Sequence, residues 1–166
     1  MKKILFTISL LVGIISAQGQ NPLPVGRAQL NAGLGFSSWG VPVYLGLDFG
    51  VARDFTLGGE FSFRSYNDNY NGNGYNHNII GISGNGNYHF NTVLNIPSNW
   101  DFYAGLNVGY YAWTSASDYP GNRSSGLGLG AQVGGRVYFT QKVGLNLEFG
   151  GGNAFSGGKI GLTFKL

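Results

Sequence analysis

The sequence predicts an all-β protein: an eight-stranded antiparallel up-and-down transmembrane β-barrel behind an export signal. Two observations carry this. Apolar and polar residues alternate with period two in eight runs from Ala28 almost to the C-terminus, most of them nine to twelve residues long. Strict alternation is the mark of a strand with two unlike faces. Soluble strands average about 5–6 residues, whereas a tilted membrane-crossing strand needs about 9–11. The second observation is the placement of charge. One face of every run is free of it, and the other carries Asp48, Glu60, Arg64, Arg136, Glu148 and Lys165 among many glycines.

Residues 1–19 form the expected cleaved signal peptide, leaving 20–166 as one barrel domain. Lys2 and Lys3 precede the apolar run Ile4 to Ile15, and the small residues Ser16, Ala17 and Gly19 follow. That is the three-part export pattern, too short for a membrane-spanning helix. Cleavage after Ala17 and cleavage after Gly19 both fit. Loss of Lys2 and Lys3 takes the formal net charge from +3 to +1, so basicity says nothing about partners.

The apolar face of the first strand reads Ala28, Leu30, Ala32, Leu34, Phe36, and that of the second Val41, Val43, Leu45, Leu47, Phe49, Val51. The third reads Phe55, Leu57, Gly59, Phe61, Phe63, and the fourth, less regular, Ile80, Ile82, Gly84, Gly86, Tyr88, Phe90. The fifth reads Trp100, Phe102, Ala104, Leu106, Val108, Tyr110, and the sixth Leu127, Leu129, Ala131, Val133, Val137, Phe139. Val143, Leu145, Leu147, Phe149 and then Ile160, Leu162, Phe164, Leu166 complete the set. Three-residue turns are expected at 52–54 and 140–142, with a longer connection at 91–99 on the same side, and the connections 37–40, 67–75, 114–124 and 150–159 are expected on the other side. Outer-membrane barrels show this asymmetry, with short periplasmic turns and long external loops. Arg53 and Lys142 are therefore expected inside, and 67–75 and 114–124 outside.

Charge also decides which face is outside. A soluble surface is roughly 25–35% charged, yet only 10% of this chain is, and 30 of its 166 residues are glycine. A glycine-rich, sparsely charged face suits the crowded interior of a narrow barrel, with the apolar face turned to lipid. Only a closed sheet leaves no unpaired edge there. Phe36, Trp39, Phe55, Phe90, Trp100, Phe139 and Phe164 lie near strand ends, where interfacial aromatic girdles sit. The absence of cysteine removes thiol chemistry and disulfides, and no Lys/Arg cluster beyond Lys2-Lys3 suggests nucleic acid.

The signal peptide, the eight alternating strands, the turn–loop asymmetry and the ending IGLTFKL resemble the small eight-stranded outer-membrane barrels of the outer-membrane-protein A and X type, over roughly residues 27–166. The resemblance implies a monomer in the outer membrane of a Gram-negative bacterium. It is architectural and transfers no catalytic residue.

Pairing Phe139 with Val143 sets Arg136 opposite Asn146 and diagonal to Glu148; pairing Phe149 with Ile160 sets Lys159 diagonal to Glu148. Glu60, Arg64, Arg136, Glu148 and Lys159 are therefore expected to form one neutralising cluster, because buried charges must be paired. The competing use of such residues is a proton path or a hydrolytic carboxylate pair. His89 is expected to face Asp101, with no third member of a triad in view. His77 and His89 lack a chelating spacing, and the strings GLGLG (126–130) and GNGN (84–87) lie within strands, unlike phosphate loops. No catalytic, cofactor-binding or metal site is expected. The expected role is structural or surface-interacting: lipid around the barrel, a plugged lumen, and loops 67–75 and 114–124 offered to an extracellular ligand. A narrow pore for small solutes and a lipid-modifying enzyme are the alternatives.

Overall fold

A computed structural model describes residues 23–37, 39–70, 72–117, 119–121, 124–153 and 156–166. The expected signal peptide lies outside them. Eight strands follow in chain order: β1 (Ala28–Ser37), β2 (Val43–Ala52), β3 (Phe55–Tyr70), β4 (Asn73–His89), β5 (Trp100–Ser115), β6 (Gly126–Tyr138), β7 (Val143–Gly152) and β8 (Ser156–Lys165). Each pairs antiparallel with the next, and β8 pairs with β1, so the sheet closes.

The phase of the alternation is as expected, and it is inverted relative to a soluble barrel. Leu106 and Leu129 are 70% and 64% exposed, while Gln29, His89 and Thr163 are fully buried. Among the described residues the buried side chains are mostly polar: Ile79 and Leu23 are buried, but so are Tyr103, His89, Gln29 and Asp101. Space comes from glycine. A Cβ on Gly134 would run into the Tyr103 ring, so only glycine at 134 lets that tyrosine lie across the lumen. At the end holding the chain termini, a Cβ on Gly50 would meet the Pro24 carbonyl, so the Leu23–Pro24 backbone lies against the inner wall there, with Leu23 1% exposed.

Two registers differ from expectation. Arg136 does face Asn146, because the 139–142 turn closes as the sequence suggests. On the next hairpin, however, Phe149 faces Gly158 and Glu148 directly faces Lys159. The expected loop at 150–159 is mostly strand, with β7 running to Gly152 and β8 starting at Ser156. Likewise 67–75 is no open loop: Asn67 pairs with Asn76, Asp68 with Tyr75, Asn69 with Gly74 and Tyr70 with Asn73. The turn after β2 is also tighter, with Ala52 opposite Phe55 beyond a bulge. The asymmetry between the two ends thus lies mainly in strand length. At 16, 17 and 16 residues, β3, β4 and β5 outrun β1, β2, β7 and β8, each of 10.

Arginine placed at Leu45 or Val133, both on the outward face and about half exposed, is expected to cost about 2–4 kcal/mol in a bilayer, as for midplane positions of other barrels. Urea unfolding in lipid vesicles measures it; a cost near zero places that face outside lipid.

Candidate functional site

The inward side chains form two charged layers and a cap. The layer nearer the chain termini centres on Arg136 of β6. Its Nη2 donates to Asp48 Oδ2 of β2, across the tube, at 2.7 Å, and its Nη1 to Asp101 Oδ2 of β5 at 3.1 Å. All three are at most 3% exposed. Asn31 Nδ2 donates to Asp48 Oδ2 at 2.9 Å, and Thr163 donates to Asn31 at 2.8 Å. On the other flank His89 Nδ1 lies 2.7 Å from Asp101 Oδ1, and His89 Nε2 lies 3.0 Å from Thr56 Oγ1. A charge this deep is tolerated only when it is paired and its remaining hydrogen-bonding positions are filled, and this layer meets both conditions. Tyr138 adds a hydrogen bond to Gln29, and Lys165 Nζ sits 3.6 Å over the Tyr138 ring.

The second layer is built on Lys159 of β8. Its Nζ lies 2.7 Å from Glu60 Oε2 and 2.8 Å from Glu148 Oε1. Tyr103 joins the layers: its hydroxyl donates to Glu148 Oε2 at 2.8 Å, and the Arg136 guanidinium carbon lies 4.4 Å from its ring centre. Between the layers is a void of about 10 Å³, bordered by Tyr44, Arg136 and Lys159. Above Lys159 is another of about 40 Å³, reaching Arg64 and Tyr111. A water needs roughly 10–15 Å³ of such volume, so these two voids have room for a few waters.

The cap lies at the end away from the termini, inside the extension of β3, β4 and β5. His77 is fully buried, with Nδ1 2.8 Å from Ser115 Oγ. Its ring centre is 4.6 Å from that of Tyr119 and 6.1 Å from those of Tyr66 and Trp113. Trp113 touches Trp39 at 5.4 Å and Tyr119 touches Tyr75 at 5.2 Å, while the Tyr119 hydroxyl donates to Asp68 at 3.3 Å. Asp68 and Tyr75 of the β3–β4 hairpin therefore meet Tyr119, in the connection after β5, over the mouth. Trp39 packs in this cluster rather than in an interfacial girdle.

The expected single cluster is corrected in composition and in number. Arg136 pairs with Asp48 and Asp101, not with Glu148, and Glu60, Glu148 and Lys159 form a separate layer. Arg64 donates to Ser37 at 3.3 Å, nearer the mouth. His89 does meet Asp101, but diagonally, since its directly paired residue is Tyr103. The third group on His89 that the sequence reading lacked is Thr56. Thr56, His89 and Asp101 reproduce the connectivity of a hydroxyl–imidazole–carboxylate relay, yet the threonine is fully buried and its oxygen opens onto no cleft that could admit a substrate. Among the described residues no cluster of His, Asp and Glu is placed to hold a metal.

No protein-family model matches the sequence, and no curated protein sequence is significantly similar to it. Its fold does match solved structures. The outer membrane protein OprG of Pseudomonas aeruginosa aligns with a TM-score of 0.68 at 10% identity, over 91% of this chain and 99% of that one. The N-terminal β-barrel domain of OprF, also of Pseudomonas aeruginosa, gives 0.62 at 14% identity, over 86% and 98%. The outer membrane protein Ail of Yersinia pestis, solved in a phospholipid bilayer nanodisc, gives 0.55 at 12% identity, over 85% and 99%. These are small eight-stranded outer-membrane barrels, the group the sequence resembles. The chain is a transmembrane β-barrel of that fold.

Replacing Arg136 with Met leaves Asp48 and Asp101 uncompensated and is expected to cost about 3–5 kcal/mol. Combined with Asp101→Asn, the loss should fall short of the sum, because the pair is coupled. Combined with Ser115→Ala in the cap, which shares neither partner nor cavity with Arg136, losses should add within about 0.5 kcal/mol. Double-mutant cycles in urea measure both.

Proposed function

We propose that the protein is a monomeric outer-membrane barrel of a Gram-negative bacterium, exported by the signal at residues 1–19, with a structural or surface-interacting role. The observation that carries this reading is the filled lumen. Arg136 and its two carboxylates span the tube from β6 to β2, Lys159 and its two carboxylates cross it again, Leu23 is buried at one end and the aromatic cap covers the other. An eight-stranded barrel is just wide enough for its own side chains to fill. Conduction needs a continuous water path, which a void of about 10 Å³ between the layers does not supply.

A catalytic role finds no support in the geometry either. The relay through Thr56, His89 and Asp101 is explained by the same need that built the rest of the layer, a partner for every buried polar atom. What is left for interaction is the surface. The described residues of 67–75 on the β3–β4 hairpin and of 114–124 lie at the end away from the termini and present exposed amides and partly exposed tyrosines to an extracellular ligand. The termini and the turns at Arg53 and Lys142 then lie in the periplasm.

Reconstituted protein should show no steady single-channel conductance in planar bilayers; large stable steps would establish a pore instead. Protease added to intact cells should cut within 114–124, because exposed loops are nicked before paired strands, and should spare Arg53 and Lys142. Cutting at either of those two residues would reverse the orientation.

A further inference from the structure

The outer face of the sheet changes chemistry abruptly along β3 and β4. Outward residues of β3 run Phe55, Leu57, Gly59, Phe61, Phe63, then Ser65, Asn67 and Asn69; those of β4 run Ile82, Ile80, then Asn78, Asn76 and Gly74. The register places Phe63 beside Ile80, Ser65 beside Asn78 and Asn67 beside Asn76, with Thr114 of β5 next to Asn78. From Phe55 to Phe63 the strand rises roughly 26 Å at about 3.3 Å per residue. A tilt of about 35–45° turns that into roughly 20 Å of height, close to the apolar band of an outer-membrane barrel. Ser65 to Asn69 and Asn78 to Asn76 therefore stand directly above the acyl chains, at the level of lipid headgroups.

Asn67, Asn69, Asn76 and Asn78 are all exposed. Asn67 Nδ2 donates to Asn76 Oδ1 at 3.1 Å, and its carboxamide lies along Gly74, where a Cβ would stand 3.4 Å from Asn67 Oδ1. A side-chain amide offers two donors and two acceptor positions, so one mutual bond leaves most of this capacity open. The described residues on this outward face carry no charge. Phosphate recognition calls for Arg or Lys; a row of neutral amides instead matches hydroxyl groups, each both donor and acceptor. The inward face of the same hairpin is already occupied, since Tyr66, Asp68, Tyr75 and His77 belong to the cap.

We propose that the outward face of the β3–β4 hairpin, through Asn67, Asn69, Asn76 and Asn78, docks the uncharged saccharide headgroups of glycolipids in the surrounding outer leaflet. The proposal rests on the outer-membrane placement proposed above. The leaflet is the source because the asparagine face continues the lipid-covered belt through Phe63 and Ile80, so a glycolipid whose chains lie on the belt brings its sugars to these amides without further positioning. The gain is one of preorganisation: the strands fix the amides before the sugar arrives.

The test is unfolding of the full mature chain in three kinds of vesicle: phospholipid alone, phospholipid with lipopolysaccharide carrying its core sugars, and phospholipid with the same lipid stripped of its neutral core sugars but retaining its acidic sugars and phosphates. Unfolding should be several-fold slower with the core sugars present than in the other two. The double variant Asn67→Ala, Asn76→Ala should lose that slowing while unfolding in plain phospholipid as the parent does. Equal slowing by the stripped lipid would mean that phosphate, acidic-sugar or acyl groups are recognised, and would overturn the proposal. So would slowing by a free neutral oligosaccharide added to plain phospholipid vesicles, or no slowing by any lipid. Failure to insert into any vesicle would overturn the membrane reading itself, and this proposal with it.

Discussion

The Arg136 guanidinium, held between Asp48 and Asp101, is the contact on which the interior depends. A sheet in lipid has to close on itself, because hydrocarbon offers no partner for a free strand edge. Once eight strands close, all polarity is confined to a tube barely wider than its own side chains. A charge as deep as Arg136 must find its partners on the walls of the tube. Arg136 resolves this by reaching from β6 to Asp48 on β2, on the opposite wall, and to Asp101 on its neighbour β5. The pairing fixes the distance across the barrel as well as the local charge.

From that contact the rest of the interior is ordered by space and by unfilled hydrogen-bonding positions. The second oxygen of Asp101 takes His89, which in turn takes Thr56; the Asp48 oxygen that meets Nη2 also accepts from Asn31. Tyr103 lies against the guanidinium and hands its hydroxyl to Glu148, which couples the first layer to Lys159 and Glu60. Gly134 is what admits that ring. A composition so rich in glycine and so poor in charge is thus the composition of a tube with few large inward side chains, each placed where its neighbour has none.

How far the sequence carried follows from the same physics. The eight strands and the phase of every face were legible because lipid imposes alternation along each crossing. Arg136 opposite Asn146 was legible because a short turn fixes register. Glu148 opposite Lys159 and the long β3–β4 hairpin were not: beyond the apolar belt the strands consist of Gly, Asn and Ser, the residues that also make loops, so nothing in the pattern says where pairing stops. The partnership of Arg136 with Asp48 was invisible for a different reason. Their strands are not adjacent, and local spacing carries no information about who meets whom across a lumen. Thr56 was missed because its place beside His89 depends on the β3–β4 register, which the sequence did not determine.

The most direct measurement of this account is solvent exchange of the Arg136 guanidinium protons, followed by nitrogen-15 NMR of the protein in lipid nanodiscs. A guanidinium held by two carboxylates in a closed tube should show slowly exchanging Nη protons that a water-soluble paramagnetic agent does not broaden. Rapid exchange at the rate of free arginine, or bleaching by that agent, would contradict the proposed filled lumen and would show water running past the layer built on Arg136.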